Sequence, residues 1–259
     1  MKSTHTQKQK CTATAARGFT LVELMVAVVI GLFLIGGLLT LVQAMKRNSV
    51  SQSGLSQLQE NERTAMQLIT DVVQSTGYFP NPVVNTAASS FPITGAFTFA
   101  GQALVGTGTG TVLTPLSNTI SVRYLTTGAD NVINCYGGTS AAAATFVNQF
   151  SVDANGNLQC ILTTNGTVAA AVPLITGISS MQLYYGVQSN TTSTTKSVDA
   201  YLDGATVTAD GLWASVKTVK VTLNFVNPLT NASGTLQAGQ TQATIPFTRV
   251  IAVMNKTGN

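Results

Sequence analysis

Histidine is almost absent from this 259-residue chain. The only one, His5, stands in a short basic segment ahead of the first long apolar run. Its absence downstream excludes histidine acid–base catalysis, a Ser-His-Asp triad and histidine metal ligation there. Charge is scarce too: Asp, Glu, Lys and Arg make up 8% of the chain, against roughly 25% in an average soluble domain. Thr, Ser, Asn, Gln and Gly take their place, a composition common in extracellular β-rich proteins. The formal excess of +4 is no general nucleic-acid footprint. Of the 13 basic residues, Lys2, Lys8, Lys10 and Arg17 precede Phe19 with no acid among them, leaving nine against nine acids. Without that segment the chain is formally neutral, with Lys217 and Lys220 as a local basic pair. Cys-x-x-Cys is missing as well. Of three cysteines, Cys11 lies in the basic segment, and Cys135 and Cys160 remain. An even pair in an exported chain reads as a disulfide, and the spacing argues against a redox motif. No phosphate-cradling glycine motif follows a strand pattern, and no nucleophile has a base. The expectation is a non-enzyme with no cofactor and no metal.

What the chain does have is a long apolar run at residues 19–42, FTLVELMVAVVIGLFLIGGLLTLV, carrying a single acid, Glu23. As a helix this run is about 36 Å long, enough to cross a hydrocarbon core of ~30 Å with some tilt. The positive residues ahead of it predict that this end stays cytoplasmic and the remainder lies outside. A secretory signal has a shorter apolar region followed by small residues, whereas here Ala15, Ala16 and Gly18 come first. Cys11 follows QKQK rather than an apolar stretch, which argues against a lipoprotein. A plain signal anchor fits the length but leaves Glu23 unexplained, since a charge at membrane depth costs a few kcal/mol. Cleavage between Gly18 and Phe19 accounts for both oddities. The new amine on Phe19 is cationic, with an ordinary pKa near ~7.7–8. Glu23 lies four residues on, one turn along the same helix face, where a negative charge also suits the helix dipole. The amine of its own chain or of a neighbouring copy then neutralises it, an arrangement whose best-attested use is to set register between helices.

RGFTLVELMVAVVIGLFLIGGLL resembles the N-terminus of type IV prepilins and their relatives: a basic leader ending in Gly, then Phe-Thr-Leu-Val-Glu-Leu, then an apolar helix. The resemblance implies that a membrane-embedded prepilin peptidase cuts after Gly18 and methylates the new N-terminus at Phe19. It also implies that Glu23 aligns subunits during assembly. Further stretches resemble minor pilins of the PilW type: LQENERTAMQLITDVVQSTGYFP, the central cysteine pair, ITGISSMQLYYGV, Trp213-x-x-Val-Lys-Thr-Val-Lys-Val-Thr-Leu and FTRVIAVMNK. The resemblance covers most of the chain and is poor over residues 83–117 and 190–210. It implies a subunit that primes filament formation and sits at or near the tip, supporting twitching motility and adhesion. The implied partners are the peptidase, other minor pilins, the major pilin, the inner membrane before assembly and a tip adhesin. Two alternatives stay open: a minor pseudopilin of a type II secretion system, which shares the leader chemistry, and a DNA- or surface-binding pilin using Lys217 and Lys220. No nucleic acid is expected as a partner.

The helix is predicted to continue past Lys46 and Arg47. Leu55, Leu58, Ala65, Ile69 and Val72 share one face as far as about Ser75, with Glu62 falling in the stripe. Gly77 and Pro80 supply the stop. Gly31, Gly36 and Gly37 weaken the apolar half by up to ~1 kcal/mol each, and Gly36-Gly37 is a candidate bend. From about Tyr78 the period becomes two. ISVRYL at residues 120–125 puts Ile120, Val122 and Tyr124 on one face. TFVNQFSVDANGNLQCILTT reads as a strand, a turn at Asn155-Gly156 and a strand. Met181, Leu183 and Tyr185 alternate, as do Val219, Val221, Leu223 and Phe225, with Lys217 and Lys220 expected to be exposed. A last strand near residues 245–254 contains Pro246, which favours an edge or a strand start. The expected fold class is α+β and pilin-like: a long N-terminal helix, membrane-spanning in its first half, packed on antiparallel β-sheets. The expected divisions are a leader at 1–18, the helix at 19–77 and a β-rich periplasmic domain at 78–259. Residues 107–111 (TGTGT) and 190–213 are expected to be loops, the second a long exposed excursion and a candidate contact surface. DANGN at 153–157 has the look of a calcium loop, but Leu158 stands where glycine is required and no terminal acid follows, so a turn is expected. Asp199, Asp203 and Asp210 are read as solvated loop acids rather than calcium ligands.

Overall fold

The computed structural model describes residues 18–109, 118–190, 197–230, 235–237 and 239–254. The expectations for the leader before Gly18, and parts of those for the loops at 107–111 and 190–213, lie outside the described residues. The chain divides into two compact units, Met1–Val50 and Ser51–Asn259.

Helix α1 (Leu21–Gln74) is 54 residues long. Within the first unit its side chains, from Leu21 through Met45, are exposed and, apart from Glu23, Thr40 and Gln43, apolar. This stretch is long and apolar enough to cross a membrane. It stays helical through Gly36 and Gly37, where the Thr40 hydroxyl donates to the Gly37 carbonyl at 2.8 Å.

In the second unit the remainder of α1 buries Leu58, Ala65, Met66, Ile69, Val72 and Val73, a helical stripe of the expected phase with Met66 and Val73 added. The stop also follows the sequence. Gly77 takes φ 72°, open to glycine without strain, and its N–H donates to the Arg123 carbonyl at 2.9 Å. A short helix, α2 (Ala87–Ser90), follows, capped by Thr86.

The strands are β1 (Leu104–Thr107), β2 (Thr119–Thr126), β3 (Ala144–Val152), β4 (Asn157–Thr164), β5 (Thr167–Val168), β6 (Val172–Thr176), β7 (Ile178–Val187), β8 (Ala200–Leu202), β9 (Val216–Val226) and β10 (Thr244–Ala252). Helix α3 (Gly204–Ala209) and a 3-10 turn (Leu212–Ser215) lie between β8 and β9. One sheet runs β1-β2-β3-β4-β5, with β6 also pairing with β4; the other runs β10-β9-β7-β8. Every pairing is antiparallel. The chain passes from the first sheet to the second at Gly177, φ 84°. Across the sheets Asn118 Nδ2 donates to the Met181 carbonyl at 2.8 Å. One hydrophobic cluster unites residues of α1 and both sheets. The α+β architecture is therefore as expected, and β10 with Pro246 is an edge strand.

Three expectations need correction. Residues 190–213 are not simply an exposed excursion: β8, α3 and the 3-10 turn fall within them, Val207 is buried, and Trp213 is 5% exposed against Tyr185 at a ring distance of 4.8 Å. One buried tryptophan anchors a largely polar segment, and the hydropathy average hides it. Thr107 closes β1 rather than opening the TGTGT loop. Lys217 and Lys220 are half-buried rather than exposed, with Lys220 Nζ 5.8 Å from the Tyr201 ring centre. As expected, the turn between β3 and β4, residues 153–156, contains Asn155 and Gly156. Asp153 organises it by accepting from the N–H groups of Asn155 and Asn157 and from Asn157 Nδ2, at 2.8 to 2.9 Å.

Candidate functional site

The predicted processing residues sit together at the start of α1. Gly18, Phe19 and Thr20 precede the helix and are exposed. Thr20 begins it: its hydroxyl accepts the Glu23 N–H at 3.3 Å and its carbonyl accepts the Leu24 N–H at 3.2 Å. That is an N-cap, and Thr20-x-x-Glu23 has the spacing of a capping box. This role of Thr20 was not expected from the sequence, although Thr-x-x-Glu ahead of an apolar run is its signal. The local consequence is that the Gly18–Phe19 bond lies outside the helix, while Glu23 sits in its first turn, exposed. In the uncleaved chain the Phe19 nitrogen is an amide, so the amine pairing belongs to a processed form.

The second group of predicted residues lies in the other unit. Cys135 and Cys160 form a disulfide with Cα atoms 6.4 Å apart. It ties the loop ahead of β3 to β4, and both cysteines are buried. Asn148 on β3, also buried, accepts the Cys135 N–H on Oδ1 at 2.8 Å. Tyr136 next to the bridge donates to the Ala170 carbonyl at 2.8 Å. Asn148 was not singled out from the sequence, where it occupies an ordinary position in an alternating strand.

Just past the end of β2 the chain is braced by Asp130. Its carboxylate accepts from the Thr126 hydroxyl, from the Thr127 N–H at 2.9 Å and from the Tyr78 hydroxyl at 3.3 Å. Burial pulls its pKa upward, but the hydrogen bonds from Thr126, Thr127 and Val132 outweigh it and hold the carboxyl at about 2.

The acids weighed for calcium are engaged otherwise. Asp199 accepts the N–H groups of Ser189 and Asn190 at 2.9 to 3.0 Å, which lowers its pKa. Asp203 caps α3 by accepting the Thr206 N–H at 2.8 Å, and Asp210 ends that helix. Among the described residues no group of three or more His, Cys, Asp or Glu is arranged to hold a metal ion.

Two comparisons match parts of the chain. Residues 145–250, which span β3 to β10, match the family described as type IV pilus-assembly protein W. Residues 14–39, which contain the Thr20 cap and Glu23, match the prokaryotic N-terminal methylation motif. No curated protein and no solved structure gives a significant match.

Proposed function

We propose that this chain, parts of which match the type IV pilus-assembly protein W family and the N-terminal methylation motif, is a PilW-type minor pilin, a structural subunit that primes pilus assembly. It is cut after Gly18, methylated at Phe19 and built into the filament at or near its tip. It does no chemistry of its own. The observation that carries this is the coincidence, at one place, of the methylation motif, an exposed apolar helix and a helix start set by Thr20 just past the scissile bond. A peptidase needs an extended, accessible peptide, and the cap keeps residues 18–20 out of the helix.

Before assembly the apolar half of α1 lies in the inner membrane with the β-rich unit on the periplasmic side. After cleavage the Phe19 amine pairs with Glu23, and the exposed apolar side chains pass from lipid contact to helix contact in the filament. The partners are then the prepilin peptidase, the other minor pilins, the major pilin and a tip adhesin. Pilus biogenesis, twitching and adhesion depend on it through assembly. The match over residues 145–250 favours a pilus over a type II secretion system.

The test has two readouts. Mass spectrometry of the mature chain is expected to find an N-methylated Phe19 as its first residue; an intact leader would overturn the processing. Glu23→Ala is expected to leave cleavage in place and to deplete the subunit from sheared pili. Normal incorporation of that variant would sink the pairing of Glu23 with the amine.

A further inference from the structure

The outer face of the first sheet holds a cation with no counter-charge. Arg123 on β2 is 2% exposed. Its Nε donates to the Gln102 carbonyl at 2.6 Å, Nη1 to the Pro92 carbonyl at 2.7 Å and to Thr94 Oγ1 at 3.1 Å, and Nη2 to the Phe91 carbonyl at 3.2 Å. The rings of Phe97 and Phe91 lie 4.2 and 5.3 Å from the guanidinium carbon. All these partners belong to one strap, residues 91–102. Four of the five guanidinium N–H groups are engaged in this way, which leaves one on Nη2. Among the described residues no carboxylate pairs with Arg123, and burial alone draws its pKa down to about 10. A buried cation without an anion is costly. A guanidinium is also the side chain best shaped for a carboxylate.

Beside Arg123 lies a cavity of 460 Å³ between the turn at residues 94–97 and the sheet. Its floor is set by register. Arg123, Val147, Thr163 and Val168 form one cross-strand row, and Ser121, Gln149 and Ile161 the next. The described lining has no acid and no base other than Arg123; hydroxyls and one amide alternate with aliphatic groups. The volume falls in the range of small-molecule sites, ~300–1,000 Å³.

We propose that this cavity binds a monocarboxylate with a small apolar body, its carboxylate against Arg123 and its body on Val147, Ile161 and Phe97. One negative charge matches the one positive charge present. A dianion such as phosphate leaves a charge unmatched among aliphatic groups. The carboxylate comes from a free acid or from the last residue of a peptide, and the chemistry at Arg123 is the same. The site stands independently of the assembly role.

The test is equilibrium dialysis of the full chain in neutral-detergent micelles, with empty micelles as the blank. The probes are benzoate, benzamide, inorganic phosphate, acetyl-Thr-Val with a free carboxylate, and the same peptide amidated. Benzoate or the free-carboxylate peptide is expected to bind saturably, one per chain, with the amides at least about tenfold weaker and phosphate at the blank level. Tighter peptide binding assigns the site to a chain terminus, and tighter benzoate binding to a free acid. Val147→Glu, directly across from Arg123, supplies the carboxylate from within. It is expected to weaken binding at least about tenfold and to raise the unfolding temperature. Thr163→Glu, one strand further along the row, replaces it if Val147→Glu does not fold. The proposal is overturned by no saturable binding at millimolar probe, by amides binding as tightly as acids, or by full affinity in a folded glutamate variant.

Discussion

Tyr185 offers a sharp test of the packing between the two sheets. Its ring is fully buried, set edge-on against Trp213 at 4.8 Å and 73°. Its hydroxyl is buried with no hydrogen-bond partner among the described residues, and burial raises its pKa. A buried hydroxyl without a partner costs about 1–3 kcal/mol. Tyr185→Phe removes that cost and forfeits the contacts of one oxygen atom, about 0.5 kcal/mol or more at typical pair energies. The expected net is a stabilisation of about 1 kcal/mol, or ~2–4 °C in unfolding temperature for a unit of this size. Trp213, the only tryptophan, touches the mutated ring, so its fluorescence reports unfolding at the site itself. The measurement is a urea and thermal denaturation of the full chain in micelles, wild type beside variant. Gly106 supplies the control. A Cβ there would stand 1.7 Å from Tyr185 Oη and 2.5 Å from Cζ, so Gly106→Ala is expected to cost roughly 1–3 kcal/mol or more by overpacking. Combined with Tyr185→Phe it is expected to cost less, because the nearer clash is gone, but not nothing, because the ring carbon remains. The two residues touch, so their effects are non-additive. A Tyr185→Phe variant destabilised by about 1 kcal/mol or more would refute the reasoning, since the hydroxyl would then have a partner in solution.

Two further outcomes follow from the disulfide and from Asp130. Replacing both Cys135 and Cys160 by serine opens a loop of 25 residues' separation and is expected to cost about 3.5 kcal/mol by chain entropy; a urea midpoint unchanged by the replacement counts against a stabilising bridge. Asp130 predicts an acid limb. Its folded pKa of about 2 lies below the ordinary carboxylate value near ~3.9. Its contribution is therefore complete above about pH 4 and is lost as the pH falls towards 2. Asp130→Asn is expected to be less stable at pH 7 and to lose that part of the decline in stability between pH 4 and 2; an unchanged acid limb in the variant removes Asp130 as its cause.

The long helix and the central strands were legible because their patterns are periodic and uninterrupted. Leu58, Ala65, Ile69 and Val72 could only share a face on a helix. Val219, Val221, Leu223 and Phe225 could only share one on a strand. Short elements were not legible. The four residues of β1 and the three of β8 carry too little pattern, and α3 reads as polar loop except for Val207. Trp213 was quoted as part of a motif, yet its burial depends on Tyr185, 28 positions earlier in the chain. Asn148 was likewise invisible, because holding Cys135 in place is a relation between two distant positions.

Arg123 marks the boundary most clearly. By alternation it belongs on the solvent side of β2, opposite Val122 and Tyr124. The fold closes that side with residues 91–102, whose carbonyls and rings surround the guanidinium. No local pattern announces a strap, since its Phe, Pro, Gly and Thr are ordinary loop residues. The order of residues alone determined the spine: the apolar length, the Thr20 and Glu23 spacing at its head, and the alternation that makes two antiparallel sheets. These depend on chemistry within a few positions along the chain. Which charges are buried, which hydroxyl is left unpaired and where a cavity opens were decided only when distant segments packed together, because burial is a property of neighbours in space.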